Sequence, residues 1–288
     1  MSSRARLAAA LLLGAAARAR ADSPLAITVG DSLGETYAVS SVFYIQGWGA
    51  DLPAYATRNL VWRNDAKGGE STKSFIAEGL WAQTLAANPS FILIELGTND
   101  ANEGDHFTDP DTTYRANLHQ MVSDARAIGA EPILITPPAE RVAEPDGFHL
   151  APTGIQAYAN AMIAEAIADG VGVIDLYSWS TGIYQLLGVP VSQASYGVII
   201  PSGPAAGDPD VVHWSVWGAD QCAQEIAAAI PGASQALAAH LTAATPPPST
   251  EVPALPGPAG ALLAAACGLA VTAASAGPGW WSRPPRRA

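Results

Sequence analysis

Apolar residues fall along this chain in short blocks, and polar residues collect at the ends of the blocks rather than alternating within them. Five blocks stand out: Leu25–Val29, Leu60–Asn64, Phe91–Leu96, Pro132–Thr136 and Val171–Asp175. They predict strands covered on both faces, because a strand with one wet face alternates apolar and polar residues. Between the blocks the period changes. Over Asp111–Ile128, the residues Tyr114, Leu118, Met121, Val122, Ala125 and Ile128 recur at helical spacing, and Gly129 follows as a C-cap. Thr153–Ala168 predicts an alanine-rich helix closed by Gly170. Val216–Ile230 predicts another, with Ser215 as N-cap and Pro231 just beyond its end. Short strands alternating with helices predict an α/β domain with a parallel sheet and helices on both faces.

In such sheets ligands bind beyond the C-terminal ends of the strands, so the polar residues there are informative. The first block ends in Gly30-Asp31-Ser32 and the second in NDAKGGES, Asn64–Ser71. The third ends in Gly97-Thr98-Asn99-Asp100 and the fourth in Thr136-Pro137-Pro138. Each segment also suits an ordinary turn. Together they line one rim with a serine, a glycine pair and an asparagine.

Both ends of the chain differ from its middle. Residues 1–21 carry Arg4 and Arg6, an apolar stretch Leu7–Ala17 and a small-residue site Ala19-Arg20-Ala21, the layout of an export signal. Residues 22–240 are expected to form the domain and 241–258 a linker, since TPPPSTEVPALPGPAG, Thr245–Gly260, cannot propagate a helix or a sheet. Residues 259–288 hold an apolar run, roughly 259–276, followed by Arg283, Arg286 and Arg287. That run is just long enough for a transmembrane helix, and the basic end favours the cytoplasmic side. A retained membrane anchor and a segment removed by a sorting machinery both fit. The expected location is outside a bacterial cell or on its envelope.

The full chain of 288 residues has a formal charge of −12, and the imbalance is concentrated in the domain. Residues 22–249 hold seven basic against twenty-five acidic residues, a net −18. Such a surface repels nucleic acid and anionic membranes. No glycine fingerprint or phosphate-binding GxxxxGK pattern follows the first strand, so nucleotide use has no support. Of two cysteines, only Cys222 lies in the domain, so no internal disulfide forms there and no zinc site is suggested.

A serine nucleophile needs a base, and the base benefits from a group that fixes its tautomer. Among five histidines, His119 opposes the apolar side of its helix and is expected in solvent, His240 adjoins the linker, and His106 and His149 lie in loops. His213 stands in DPDVVHWSVWGAD just before the last helix, three residues after Asp210. A tight turn would fold Asp210 under the imidazole and leave the second ring nitrogen for Ser32. Gly69, Asn99 and the Ser32 N–H are candidate donors to a developing oxyanion. The Asp100–Asp111 loop carries Glu103, Asp105 and Asp109, oxygen ligands of the kind calcium takes, but without EF-hand spacing. A solvated loop is the expected reading, and Asp31 and Asp100 are expected to orient backbone.

GDS at Gly30–Ser32, NDAKGGES, GTND at Gly97–Asp100 and DVVH at Asp210–His213 resemble, in order, the motif blocks of the SGNH or GDSL hydrolases. The resemblance implies a three-layer α/β/α sandwich around a five-stranded parallel sheet, flavodoxin-like in topology, and a serine esterase needing no metal or cofactor. It implies Ser32 as nucleophile, His213 as base and Asp210 as its orienting acid, with Ser32, Gly69 and Asn99 forming the oxyanion hole. GWGADLPAY, NDAKGGESTKSFI and TTYRANLHQMVSDARAIGAEPILITPP further resemble the rhamnogalacturonan acetylesterase-like branch. That branch commonly has arginine where this chain has Glu70 and histidine where it has Thr98. Glu70 is therefore expected at the substrate, repelling galacturonate. Thr98 is a second candidate contact, and Trp214, next to His213, is a candidate sugar-stacking platform, with Trp48 and Trp217 as further aromatic candidates; packing is the expected role of at least two of the three. The expected partner is an acylated carbohydrate or another small ester. The alternatives are a lipase or thioesterase using the same residues, and an inactive surface carbohydrate-binding module.

Overall fold

The structure is a computed structural model that describes residues 23–38, 45–200 and 206–242. Five strands form one parallel sheet: β1 (Leu25–Gly30), β2 (Val61–Asn64), β3 (Phe91–Glu95), β4 (Glu131–Ile135) and β5 (Gly172–Ile174), in the order β2-β1-β3-β4-β5. Every pairing within it is parallel, with Gly30 opposite Glu95 at the C-terminal end of the β1–β3 pair. The strand order reverses at β1, so the crevice between β1 and β3 is the switch point where such sheets bind ligands.

The apolar blocks are continuous because both faces of the sheet are covered. On β3, Phe91 and Leu93 join one core and Ile92 and Ile94 the other, all nearly or fully buried. The first face packs against α7 (Val216–Ala233), which presents Ala219, Cys222, Ala223, Ile226 and Ile230. It is completed by α5 (Leu176–Leu187) and α6 (Val189–Tyr196). The second face packs against α1 (Thr72–Ala77), α2 (Leu80–Ala86), α3 (Thr113–Ala127) and α4 (Ile155–Asp169), through Phe75, Trp81, Leu118, Met121, Val122 and Met162. Each fully buried aliphatic or aromatic side chain contributes roughly 1.5–3 kcal/mol of transfer free energy. This is the expected α/β/α sandwich with a five-stranded parallel sheet.

The caps follow from local chemistry. Ser215 Oγ accepts from Gly218 N at 3.0 Å and starts α7. Gly170, at φ 61°, ends α4. Pro231 lies inside α7 rather than beyond it, because the helix keeps packing through Ile230 and continues to Ala233. Asp175, read as a strand end, instead caps α5, its side chain accepting from Ser178 N at 3.0 Å. A short antiparallel pair, β6 (Val198–Ile199) and β7 (Pro209–Asp210), stands outside the main sheet, and a one-turn helix, α8 (Gln235–Ala238), follows α7. The fold reaches Thr242, whose N–H donates to Tyr55 O at 2.9 Å.

One expectation is corrected. Among the described residues no helix is long and apolar enough to cross a membrane, so a transmembrane helix is not a feature of this structure. The apolar run near 259–276, the linker beyond Thr242 and residues 1–21 lie outside the described residues.

Candidate active site

Ser32 reaches the rim because Asp31 folds the chain sharply after β1. Asp31 Oδ1 accepts from Leu33 N at 2.9 Å, while its carbonyl accepts from Gly34 N at 3.2 Å and Glu35 N at 3.1 Å. Asp31 is buried and Ser32 is half-buried. Across the crevice, β7 delivers Asp210 and the turn that follows delivers His213. Asp210 Oδ1 accepts from Val212 N at 3.0 Å and His213 N at 2.9 Å, which forms the turn. Its Oδ2 lies 2.8 Å from His213 Nδ1. His213 Nε2 lies 2.9 Å from Ser32 Oγ. The three residues expected to act together are thus brought into one hydrogen-bonded line.

Protonation gives this line a direction. Burial acts to raise the Asp210 pKa, but bonds from the His213 ring and backbone, the imidazole charge and the Val212 N–H outweigh it and hold the group down at about 2. An ionised carboxylate can only accept, so Nδ1 carries the proton and Nε2 is left as acceptor for the Ser32 hydroxyl.

The opposite wall is the Lys67–Glu70 loop. Lys67 N donates to Gly30 O at 3.0 Å, Gly68 N to Glu35 Oε2 at 2.6 Å, and Asn99 Nδ2 to Glu70 O at 3.0 Å. A Cβ at Gly68 would fall 2.7 Å from Glu35 Oε2, so a larger residue there would displace the carboxylate that Gly68 N holds. Gly69 adopts φ +84° and faces open space. Among the described residues, the N–H groups of Gly69 and Ser32 donate to no protein acceptor. Asn99 keeps its second amide hydrogen after bonding Glu70. These are the donors that a developing oxyanion requires.

Behind the rim lies a layer of buried acids. Burial raises the pKa of Asp31, Glu95 and Asp100. Asp100 offsets part of this by accepting from Thr72 N at 2.9 Å, Thr72 Oγ1 at 2.5 Å and Thr108 Oγ1 at 2.6 Å. It anchors the start of α1, the backbone role expected of it. Glu95 is fully buried, and among the described residues neither carboxylate oxygen has a well-formed partner.

Three expected substrate contacts are corrected. Glu70 is buried, pairs with Lys67 Nζ at 2.6 Å and accepts from Ser74 Oγ at 2.6 Å, so its charge is neutralised inside the loop rather than shown to a substrate. Thr98 is buried beside Asp31. Trp214 is 1 % exposed, packed against Tyr184 and Tyr196, and cannot stack a sugar; Trp48 and Trp217 are buried as well. Glu103, Asp105 and Asp109 are exposed. Among the described residues, the group with metal-ligand spacing is His119, Glu165 and Asp169, on α3 and α4, and Arg115 already pairs with Glu165 at 2.8 Å. His119 is exposed, as its place on the helix predicts.

The sequence reading missed Arg141 and Glu35. Arg141 is buried and its Nη2 donates to the carbonyls of both Asp210, at 3.1 Å, and His213, at 2.5 Å. The available signal was its isolation: it is the last basic residue of a strongly acidic domain and follows a rim segment.

A sheet with a serine at its switch point, a histidine–carboxylate pair within reach and unused N–H donors beside it defines the class of serine esterases acting on acyl esters. The chain belongs to the GDSL-like Lipase/Acylhydrolase family, whose pattern matches residues 28–187, and it is accordingly a carboxylic ester hydrolase. It is 33 % identical over 205 residues to the protein named Probable rhamnogalacturonan acetylesterase YesY of Bacillus subtilis (strain 168), covering 70 % of this chain and 89 % of that one. It is 30 % identical over 201 residues to Rhamnogalacturonan acetylesterase RhgT of the same strain, covering 68 % and 84 %. In fold it is similar to the acetylxylan esterase Axe2 of Geobacillus stearothermophilus, at TM-score 0.54 and 18 % identity over 71 % of this chain and 93 % of that one. It is likewise similar to a lipase/acylhydrolase of Enterococcus faecalis, at TM-score 0.53 and 22 % identity over 73 % and 96 %.

Proposed function

We propose that this esterase removes O-acetyl groups from a polysaccharide, with Ser32 as nucleophile, His213 as general base and Asp210 as the acid that orients it. The observation that carries the residue roles is the unbroken line from Ser32 Oγ through His213 to Asp210. Ser32 Oγ attacks the ester carbonyl as His213 Nε2 takes its proton. The Ser32 and Gly69 N–H groups and the Asn99 amide hold the oxyanion, worth about 2.7–4 kcal/mol for one such donor. The imidazolium then protonates the departing sugar hydroxyl. Water repeats the sequence on the acyl-enzyme and releases acetate.

The carbohydrate substrate is supported by the relatives, two of which are named as acetylesterases of rhamnogalacturonan. The burial of Glu70 against Lys67 removes one objection to a uronate-containing chain, although the domain as a whole stays acidic. Product analysis tests the reading on acetylated pectin, acetylated xylan and simple esters of short and long acyl chains, with Ser32→Ala as control. Acetate release from a polysaccharide that Ser32→Ala abolishes is the expected result. Preference for long acyl chains would move the enzyme to the lipases. We also assign residues 1–21 as an export signal, for which the expected N-terminus of the native protein is Asp22, read by intact mass.

A further inference from the structure

Arg141 raises a physical question of its own. The residue is 1 % exposed, yet among the described residues none of its hydrogen-bond partners is a carboxylate. Nε donates to Gln193 Oε1 at 3.0 Å and Nη1 to Tyr184 Oη at 3.0 Å. The guanidinium carbon lies 5.5 Å from the Tyr184 ring centre and 5.4 Å from that of Trp214. Burying a cation is expensive unless geometry and hydrogen bonds compensate. Here the compensation comes from ring faces, two neutral side chains and two backbone carbonyls. Those carbonyls belong to Asp210 and His213, the first and last residues of the turn that carries the acid and the base.

We propose that Arg141 is a positioning residue that clamps this turn end to end and so holds the His213 ring within reach of Ser32. The proposal rests on the triad reading above. One planar nitrogen, Nη2, bridges both carbonyls, and the rest of the fork fixes the guanidinium plane against α5 and α6 through Tyr184 and Gln193. Gln193 doubles the restraint, its Nε2 donating to Asp210 O at 3.0 Å. The Arg141 backbone adds a third tie, its N–H donating to Val211 O at 2.8 Å. Without the fork, the turn retains its internal Asp210 bonds, the Gln193 bond to Asp210 O and the backbone tie at Val211, but the carbonyl of His213 loses its Arg141 anchor. A base displaced by about 1 Å loses on the order of 10²-fold in rate.

Arg141→Lys separates this role from bulk stability. Lysine keeps the buried charge but offers one point instead of a planar fork. Active sites are counted by phosphonate titration, so that kcat refers to competent molecules, and thermal melts are recorded alongside. The expected result is a kcat lower by about 10²-fold with KM nearly unchanged. Tyr184→Phe, which keeps the ring and removes one anchor, is expected to give a smaller loss in the same sense. In Arg141→Ala, added guanidinium at non-denaturing concentration is expected to restore part of kcat, while sodium chloride at equal ionic strength does not. A kcat per titrated site close to the parent's in Arg141→Lys overturns the clamp, as does a loss confined to KM. If Arg141→Lys does not fold, an unchanged kcat in Tyr184→Phe overturns it instead. Ser32→Ala keeps the two readings apart: full activity there refutes the triad, whereas a dead Ser32→Ala beside a normal Arg141→Lys refutes only the clamp.

Discussion

The chain builds the same Asp-x-x-His turn twice. In both Asp146–His149 and Asp210–His213 one carboxylate oxygen accepts two backbone N–H groups and the other meets His Nδ1. Both aspartates are held down at about 2, Asp146 by its histidine and backbone donors in the open, Asp210 by similar donors working against burial. The differences are tertiary. The side chain of His149 is 72 % exposed and that of His213 30 %. Only His213 meets Ser32, and only its turn has its end carbonyls held by Arg141. Local sequence makes the turn; the sheet's switch point and a buried cation turn it toward chemistry.

The largest test of that contrast is to change the same atom in both turns. Asp210→Asn is expected to lower kcat by about 10⁴-fold, because the amide no longer enforces the tautomer that leaves Nε2 free. Asp146→Asn is expected to leave steady-state kinetics unchanged, and equal losses in the two would erase the distinction. On the other wall, Asn99→Ala is expected to lower kcat by about 10²–10³-fold through the oxyanion, with little change in KM.

A buried carboxylate with no well-formed donor among the described residues sharpens the comparison. Burial, reinforced by the neighbouring Asp31, pushes Glu95 well above its usual range. A raised acid is retained as its protonated form in the folded state. It therefore costs no stability below the unfolded pKa of about 4.3, and a growing amount as pH rises toward the folded value. Glu95→Gln is expected to raise Tm by about 2–4 °C near neutral pH, and by less near pH 4. A gain independent of pH would place the effect in packing instead. Asp210 has the opposite sign: its depressed pKa contributes stability that is present above the unfolded value of about 3.9 and is lost as pH falls toward about 2. Asp210→Asn should accordingly show a flatter acid limb in Tm than the parent. This is the smallest effect of the set.

The two turns also explain what could be read in advance. Five strands, three helices and the Ser32–His213–Asp210 line were legible because buried strands are continuous apolar runs and because strand ends face the ligand crevice. Spacing alone was not enough, since Asp146 and His149 share it. The helices α5 and α6 were missed because the chain enters α5 directly from β5 through Asp175, which reads equally as a strand end or a cap. Glu70, Thr98 and Trp214 were misread for one reason. A residue's place beside a motif says nothing about which way its side chain turns, and all three turn inward. Arg141 stood out only by its isolation, and its role was hidden for the converse reason: its partners are carbonyls and rings brought together only by the fold.

The central claim is that one hydroxyl, Ser32 Oγ, is activated by His213. It is tested most directly by intact-mass and peptide mapping after reaction with a p-nitrophenyl alkylphosphonate, followed against residual ester hydrolysis. The account predicts a single adduct on Ser32, formed in step with loss of activity and absent from both Ser32→Ala and His213→Ala. Hydrolysis that continues at full rate in protein fully modified at Ser32 would contradict it.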